Sequence, residues 1–324
     1  DTLLAADGSH VQIPSDIHDK ATYFNSTKDG RGYNLLHLNA LYDLESQVYL
    51  DAIIQDGREE HESQALVELV DRSELTEPVI LVADRGYEAY NNMAHIDEGL
   101  ENLIRVKDKQ GLLSGLRLTG APEFDAAFSY SLSKRLTNRI RQEPHKYRWI
   151  PQKAHFDYIG DASDALYPIS FRVVRFAVKE GLYETVITNL PADRFPPPLL
   201  RELYHKRWGI ETSFRDLKYT LALTHFHAKK RPFIKQEIFS RMTLYNFASL
   251  LRLHAVFTQP EGKHLYRINT AFAAHIAREF LLGFVPAVNV EPLITKFLLP
   301  VRPGLQKPRN MRAKRPISFQ YRMI

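Results

Sequence analysis

The chain has 324 residues, 44% of them apolar, with 43 Lys plus Arg against 38 Asp plus Glu and no cysteine. That length supports one large domain or two ordinary ones with a sizeable core, and zero cysteine excludes disulfide frameworks, thiolate metal sites and cysteine nucleophiles. Charge is uneven, with 16 acids and 3 bases in residues 43–104 but 17 acids and 37 bases in residues 105–324, an asymmetry that favours a polyanionic partner.

Residues 2–6 form a short apolar run, expected to be a strand that ends at Asp7-Gly8-Ser9. Residues 33–41 and 47–54 are strand-like and flank Asp43-Leu44-Glu45-Ser46, which has the composition of a hairpin turn. An amphipathic helix follows over 60–70, then a buried-strand run over 78–83 that stops at Asp84-Arg85-Gly86-Tyr87. A helix over 88–98 and a strand over 102–106 complete the order βββαβαβ, which predicts a mixed sheet with helices on its faces. Residues 107–195 break the rhythm as a β-rich insertion, with strands at 124–132, 169–179 and 183–188. In the second of these, Ile169, Phe171 and Val173 share one face and Val174, Phe176 and Val178 the next, the shift that a β-bulge makes. Phe195-Pro196-Pro197-Pro198 stops any strand and presets a helix start. Helical patterns then cover 199–219, 233–257 and 265–282. Beyond Val301 stand seven bases and no acid, the composition of a poorly ordered basic arm. The expected organisation is an α/β core begun by residues 1–106, the insertion over 107–195, a helical region over 196–300 and a basic tail over 301–324.

Asp7 and Asp84 each close an apolar strand before a glycine-containing turn, where open sheets place their ligands; Asp before Gly is also ordinary turn chemistry. The segment from Leu203 to Lys218 adds a third element. At about 100° per helical residue, Tyr204, Arg207, Glu211 and Lys218 fall within about 60° of one another. The apolar residues Leu203, Ile210, Phe214, Leu217 and Leu221 form an adjoining stripe, so this polar ridge borders the core. An i,i+4 ion pair explains Arg207 and Glu211, but not Tyr204 and Lys218. Residues 134–153 hold seven bases and one acid around Tyr147, Arg148 and Trp149, which fits either DNA backbone contact with stacking or a solvated hairpin. His225 and His227, two residues apart, do not share a helical face and with His205 make a poor metal set.

Asp7 in Asp-Gly-Ser, Asp84 in Asp-Arg-Gly-Tyr, and Tyr204, Arg207, Glu211 and Lys218 at the spacing Y-x2-R-x3-E-x6-K resemble the signature of bacterial DDE transposases of the IS-four group. The three motifs stand in the family's order and span essentially the whole chain. The resemblance implies an RNase H-like fold with Asp7, Asp84 and Glu211 as catalytic, metal-binding carboxylates, and Tyr204, Arg207 and Lys218 as DNA contacts. It also implies cut-and-paste transposition, with cleavage at transposon ends and joining to target DNA. Partners would be double-stranded DNA and a second copy of the chain in a homodimeric synaptic complex. In relatives that pass through hairpinned ends an insertion aromatic stacks on a flipped base; the nearest match is Tyr183, with Trp149 the alternative.

Hard oxygen ligands without His or Cys suit Mg²⁺ or Mn²⁺, expected as two ions. No apolar stretch approaches the roughly 18 residues of a membrane span, and Asp1-Thr2-Leu3 is unlike a signal peptide. The expectation is therefore a soluble, DNA-associated protein of the bacterial cytoplasm. The missing initial Met reads as a fragment without the N-terminal DNA-binding region usual in such proteins. Two rival functions remain: a catalytically silent, transposase-derived DNA-binding protein, and a metal-dependent nuclease without strand transfer.

Overall fold

The computed structural model describes residues 2–25, 32–75, 78–108, 111–116, 118–160, 164–261 and 264–301. The expected basic tail lies outside the described residues. In chain order the strands and helices are β1 (Thr2–Ile13), β2 (Tyr23–Phe24), β3 (Tyr33–Asp43), β4 (Val48–Asp56), α1 (Glu62–Asp71), β5 (Val79–Ala83), α2 (Tyr90–Asp97) and β6 (Glu101–Arg105). They continue as β7 (Phe124–Ser133), α3 (Asn138–Gln142), β8 (Tyr147–Trp149), β9 (Tyr167–Lys179), β10 (Leu182–Thr188), α4 (Pro197–Lys206), α5 (Trp208–Arg215), α6 (Arg231–His254), β11 (Tyr266–Ile268), α7 (Thr270–Leu281), α8 (Ala287–Lys296) and β12 (Leu298–Pro300). This is a mixed α/β fold. Among the described residues, no helix is long and apolar enough to cross a membrane.

The chain divides into two compact units, residues 1–7 with 61–208 and residues 8–60 with 209–324. In the first unit the strand order is β1-β5-β6-β10-β9-β7-β8. The β1/β5 and β5/β6 pairs are parallel, whereas β10 runs antiparallel to both β6 and β9. Parallel strands covered on both faces read as unbroken apolar runs, and Leu3, Leu4, Leu81, Val82 and Leu103 are all fully buried. Helix α1 buries Ala65, Leu66, Leu69 and Val70, while α2 buries Met93, Ala94 and Ile96; each large side chain among these contributes about 1.5–3 kcal/mol.

In the second unit β3 pairs antiparallel with β2 and β4. Helix α6 docks on β4 through Asn246, whose side chain accepts from Tyr49 N and donates to Tyr49 O, both at 2.7 Å. Tyr49 also places α5, because its hydroxyl lies 2.6 Å from Ser213 Oγ and its ring packs 6.0 Å from Phe214. Gly209 lets α5 approach the β3–β4 turn, since a Cβ there would stand 2.7 Å from Leu44 Cδ2.

Several expectations are corrected. Strand β1 does not end at Ala6 but runs through Asp7-Gly8-Ser9 to Ile13; burial of Val11 and Ile13 outweighs the weak turn preference of Asp-Gly-Ser. No bulge stands at Val173 and Val174: β9 pairs with β7 in unbroken register there, and both residues are buried because the strand is covered on both faces. The irregularity lies at the other end, where Leu182 pairs with Lys179 but Tyr183 with Ala177. The helix expected over 199–219 is α4, α5 and a π-helical turn over Asp216–Thr220, with a tighter step where Arg207 N donates to Tyr204 O. That combination alters the phase of a straight helix. The pattern over 265–282 begins as β11 and becomes helical only after Asn269, whose side chain caps α7 by accepting from Ala271 N and Phe272 N. Short elements such as β2, β8 and α3 carry too few residues for periodicity, and Pro292 inside α8 hides that helix.

Candidate active site

The first unit gathers a carboxylate cluster on two adjacent parallel strands, where β5 ends before Asp84 and β1 continues through Asp7. In the β1/β5 register Ala6 is the partner of Ala83, so Asp7 and Asp84 follow as neighbours, at about the 4.8 Å spacing of paired strands. Asp84 keeps an extended backbone (φ −80, ψ 173) before the chain turns into a 3-10 turn over Arg85–Tyr87. Tyr87 N closes that turn by donating to Asp84 O at 3.0 Å.

Basic and phenolic groups surround the pair. Arg207, only 3% exposed, has Nη1 at 3.6 Å from Asp7 Oδ2, and its guanidinium also lies over the rings of Tyr204 and Trp208. Tyr204 Oη donates to Asp84 Oδ1 at 3.3 Å. Arg105 stands 3.8 Å from Asp84 Oδ1 and 3.6 Å from Glu184 Oε1. The Tyr204 hydroxyl is pushed up by burial, an effect that Arg207 opposes and Asp84 reinforces.

Tyr87, Glu62, Arg105 and Glu184 were not expected from the sequence. Tyr87 is buried, and its hydroxyl is driven well above the ordinary phenol value by burial first and then by the charges of Glu62, Asp7 and Asp84. Glu62, in the first turn of α1, reaches over Gly86, where a Cβ would stand 2.9 Å from its Oε2. Tyr87 belongs to the Asp-Arg-Gly-Tyr motif, which is the signal that identifies it. The other three sit on a helix and two strands without a motif.

In the second unit Glu211 occupies the first turn of α5 and is half-buried. Lys218 lies in the π-helical turn and donates from Nζ to Ser9 Oγ at 2.7 Å.

The remaining expected DNA contacts lie elsewhere in the first unit. Arg148 donates to Leu112 O, Ser114 O and Tyr90 Oη, so its guanidinium is committed within the protein. Trp149 is 43% exposed and lines a cavity of about 1370 Å³ together with Tyr90, Asn91, Lys153 and His155. Tyr183 lies on β10 with the Arg175 guanidinium 5.2 Å from its ring centre.

One wall of that cavity is held by ionisable groups. His95 bonds through Nδ1 to Asp71 Oδ1 at 2.7 Å and through Nε2 to Asp157 Oδ2 at 3.0 Å. Burial works against its charge, but the hydrogen bonds that the imidazole donates to Asp157 and Asp71 outweigh it and hold His95 above its ordinary 6.5. Burial likewise works against ionised Asp157, yet Asn91 and His95 hold that carboxyl below its ordinary 3.8. The raised imidazole stabilises the fold fully below its unfolded value and loses this effect as pH rises through its folded value; the depressed carboxyl does the reverse on acidification. The clip is therefore strongest between about pH 4 and 6.5. Thermal unfolding should show a decline in midpoint from pH 6 to 8.5 that is smaller in His95→Gln; equal declines in both proteins would remove His95 as its source.

A profile of the transposase DDE domain family matches residues 1–247 of this chain. Comparison with curated proteins gives no match. Among solved structures, the chain is similar to piggyBac transposase in a cryo-EM synaptic complex with hairpin DNA, at 8% identity and a TM-score of 0.47. The likeness covers 94% of this chain and 59% of that chain.

Proposed function

Since the chain belongs to the transposase DDE domain family, we propose that it is the catalytic region of a cut-and-paste DDE transposase of the bacterial IS-four group, with an RNase H-like core. On this reading it cleaves DNA at transposon ends and joins the freed 3′-hydroxyl to target DNA, working as a homodimer. The observation that carries the reading is that Asp7 and Asp84 each follow the paired residues Ala6 and Ala83 on adjacent parallel strands, beside arginine counter-charges. Their hard oxygen donors fit Mg²⁺ or Mn²⁺, with Glu211 as the third carboxylate.

Asp7, Asp84 and Glu211 would hold the divalent ions, which would supply Lewis acidity for phosphodiester cleavage when bound. The chain's own residues do the rest. Arg207, buried against Asp7, fixes that carboxylate and offsets its charge before ions bind. Tyr204 orients Asp84 through its hydroxyl, and Tyr87 lies buried within the field of both carboxylates. Lys218, a compact point charge beside Ser9, binds a phosphate of the DNA backbone.

The test is incubation with a duplex carrying the element's own ends and a target duplex, in Mg²⁺ and in EDTA. Mg²⁺-dependent nicking with joined products is expected. Binding without nicking would leave a silent DNA-binding protein, and nicking without joined products a nuclease. Lys218→Ala should weaken binding across DNA sequences and lower the slope of log K against log salt by about one; an unchanged slope would assign Lys218 to β1 alone.

A further inference from the structure

The second unit contains a group of metal-ligating side chains outside the carboxylate site. His10 on β1, His37 on β3 and Glu60, just after the turn that follows β4, bring their ligand atoms within 4.8 Å of one another. Glu60 Oε2 lies 2.7 Å from His10 Nε2 and 3.3 Å from His37 Nδ1. The two imidazoles are edge-to-face, with centres 4.9 Å apart and planes at 70°. Both rings therefore present a nitrogen to the same carboxylate oxygen instead of stacking.

We propose that His10, His37 and Glu60 form a zinc-binding site distinct from the carboxylate site. Two imidazoles and one carboxylate are the three-ligand set of many zinc sites, and they suit a borderline ion instead of Mg²⁺, which prefers oxygen ligands throughout. With bonds of roughly 2.0–2.1 Å, neighbouring ligand atoms in a tetrahedral site stand about 3.3–3.4 Å apart. The His37–Glu60 separation already has that value. The His10–Glu60 pair, at hydrogen-bond length, opens by about 0.6 Å, a movement within reach of two side chains each 40% exposed. Their exposure also leaves a fourth position for water, while His37, 3% exposed, anchors the ion from the buried side.

The supporting backbone is held by hydrogen bonds. Gly57 N donates to Leu35 O at 3.1 Å and Glu59 N to Asp56 O at 2.9 Å. A Cβ on Gly57 would come within 2.6 Å of Leu35 O, so only glycine lets this turn lie against β3 and deliver Glu60 beside His37. His10 is three residues past Asp7 on one strand, and alternation points the two side chains to opposite faces. The zinc ion would tie β1, β3 and the segment leading into α1 together.

The test is titration of the full, tag-free chain with Co²⁺ and Zn²⁺ in the presence of excess Mg²⁺. Wild-type protein should take up one equivalent of Co²⁺ with the visible absorption of a four-coordinate ion, displaced by Zn²⁺. Zn²⁺ should also raise its thermal midpoint. His10→Ala and Glu60→Gln, both at exposed positions, should each weaken uptake by at least about 100-fold and abolish the thermal shift. Asp84→Asn should leave uptake intact. The assignment is overturned if wild-type protein takes up no Co²⁺, if His10→Ala and Glu60→Gln bind as wild type does, or if Asp84→Asn alone removes the signal.

Discussion

Asp84→Ala is expected to abolish DNA cleavage while leaving DNA affinity equal or higher. Asp84 is the neighbour of Asp7 across the β1/β5 register and accepts from Tyr204, so its loss removes one hard donor from the proposed metal site. Losing a single electrostatic stabiliser already slows catalysis about 10²–10³-fold, and losing a ligand should exceed that. Affinity moves the other way, because a negative charge is removed from where a phosphate binds. The measurements are nicking of an end-bearing duplex and a binding isotherm at matched salt. Retained cleavage in folded Asp84→Ala protein would refute the proposed mechanism. A fall in cleavage that merely tracks lost binding would assign Asp84 to DNA contact.

Arg207→Met is expected to lower the stability of the fold by about 3–5 kcal/mol, the range for breaking a buried charge pair by removing one partner. Its guanidinium is 3% exposed and 3.6 Å from Asp7, and it lies over the Tyr204 and Trp208 rings at 5.6 and 5.5 Å. Removing it leaves Asp7 with less counter-charge in a site that also holds Asp84 and Glu62. Met keeps most of the apolar stem, so the loss reads the charge more than the volume. The double variant with Asp7→Asn should recover part of the loss, with a coupling of about 0.5–3 kcal/mol. Urea midpoints at constant slope measure both. A single-variant loss under about 0.5 kcal/mol would place Arg207 among ordinary surface substitutions and free it for the DNA contact that the family resemblance implies.

What the sequence by itself determined was local. Apolar runs of strand length ended at Asp7 and Asp84, helical periodicity placed α1, α2 and α6, and the spacing of Tyr204, Arg207, Glu211 and Lys218 marked a helical stretch, which the structure divides into α4, α5 and a π-helical turn. These follow from side-chain periodicity and turn chemistry, which act within a few residues. Only the tertiary structure decided the rest. The Ala6–Ala83 register made two separate aspartates neighbours, although they stand 77 positions apart in the chain. Burial of Val11 and Ile13 carried β1 through its apparent turn, and cover on both faces of β9 removed the expected bulge. Arg207, read as a ridge residue beside the core, is buried against Asp7. Glu62 and Tyr87 joined the site, and His10, His37 and Glu60 converged from separations of 27 and 23 residues. Such pairings depend on which strands become neighbours, a choice made by the summed burial of the whole chain and encoded in no single segment.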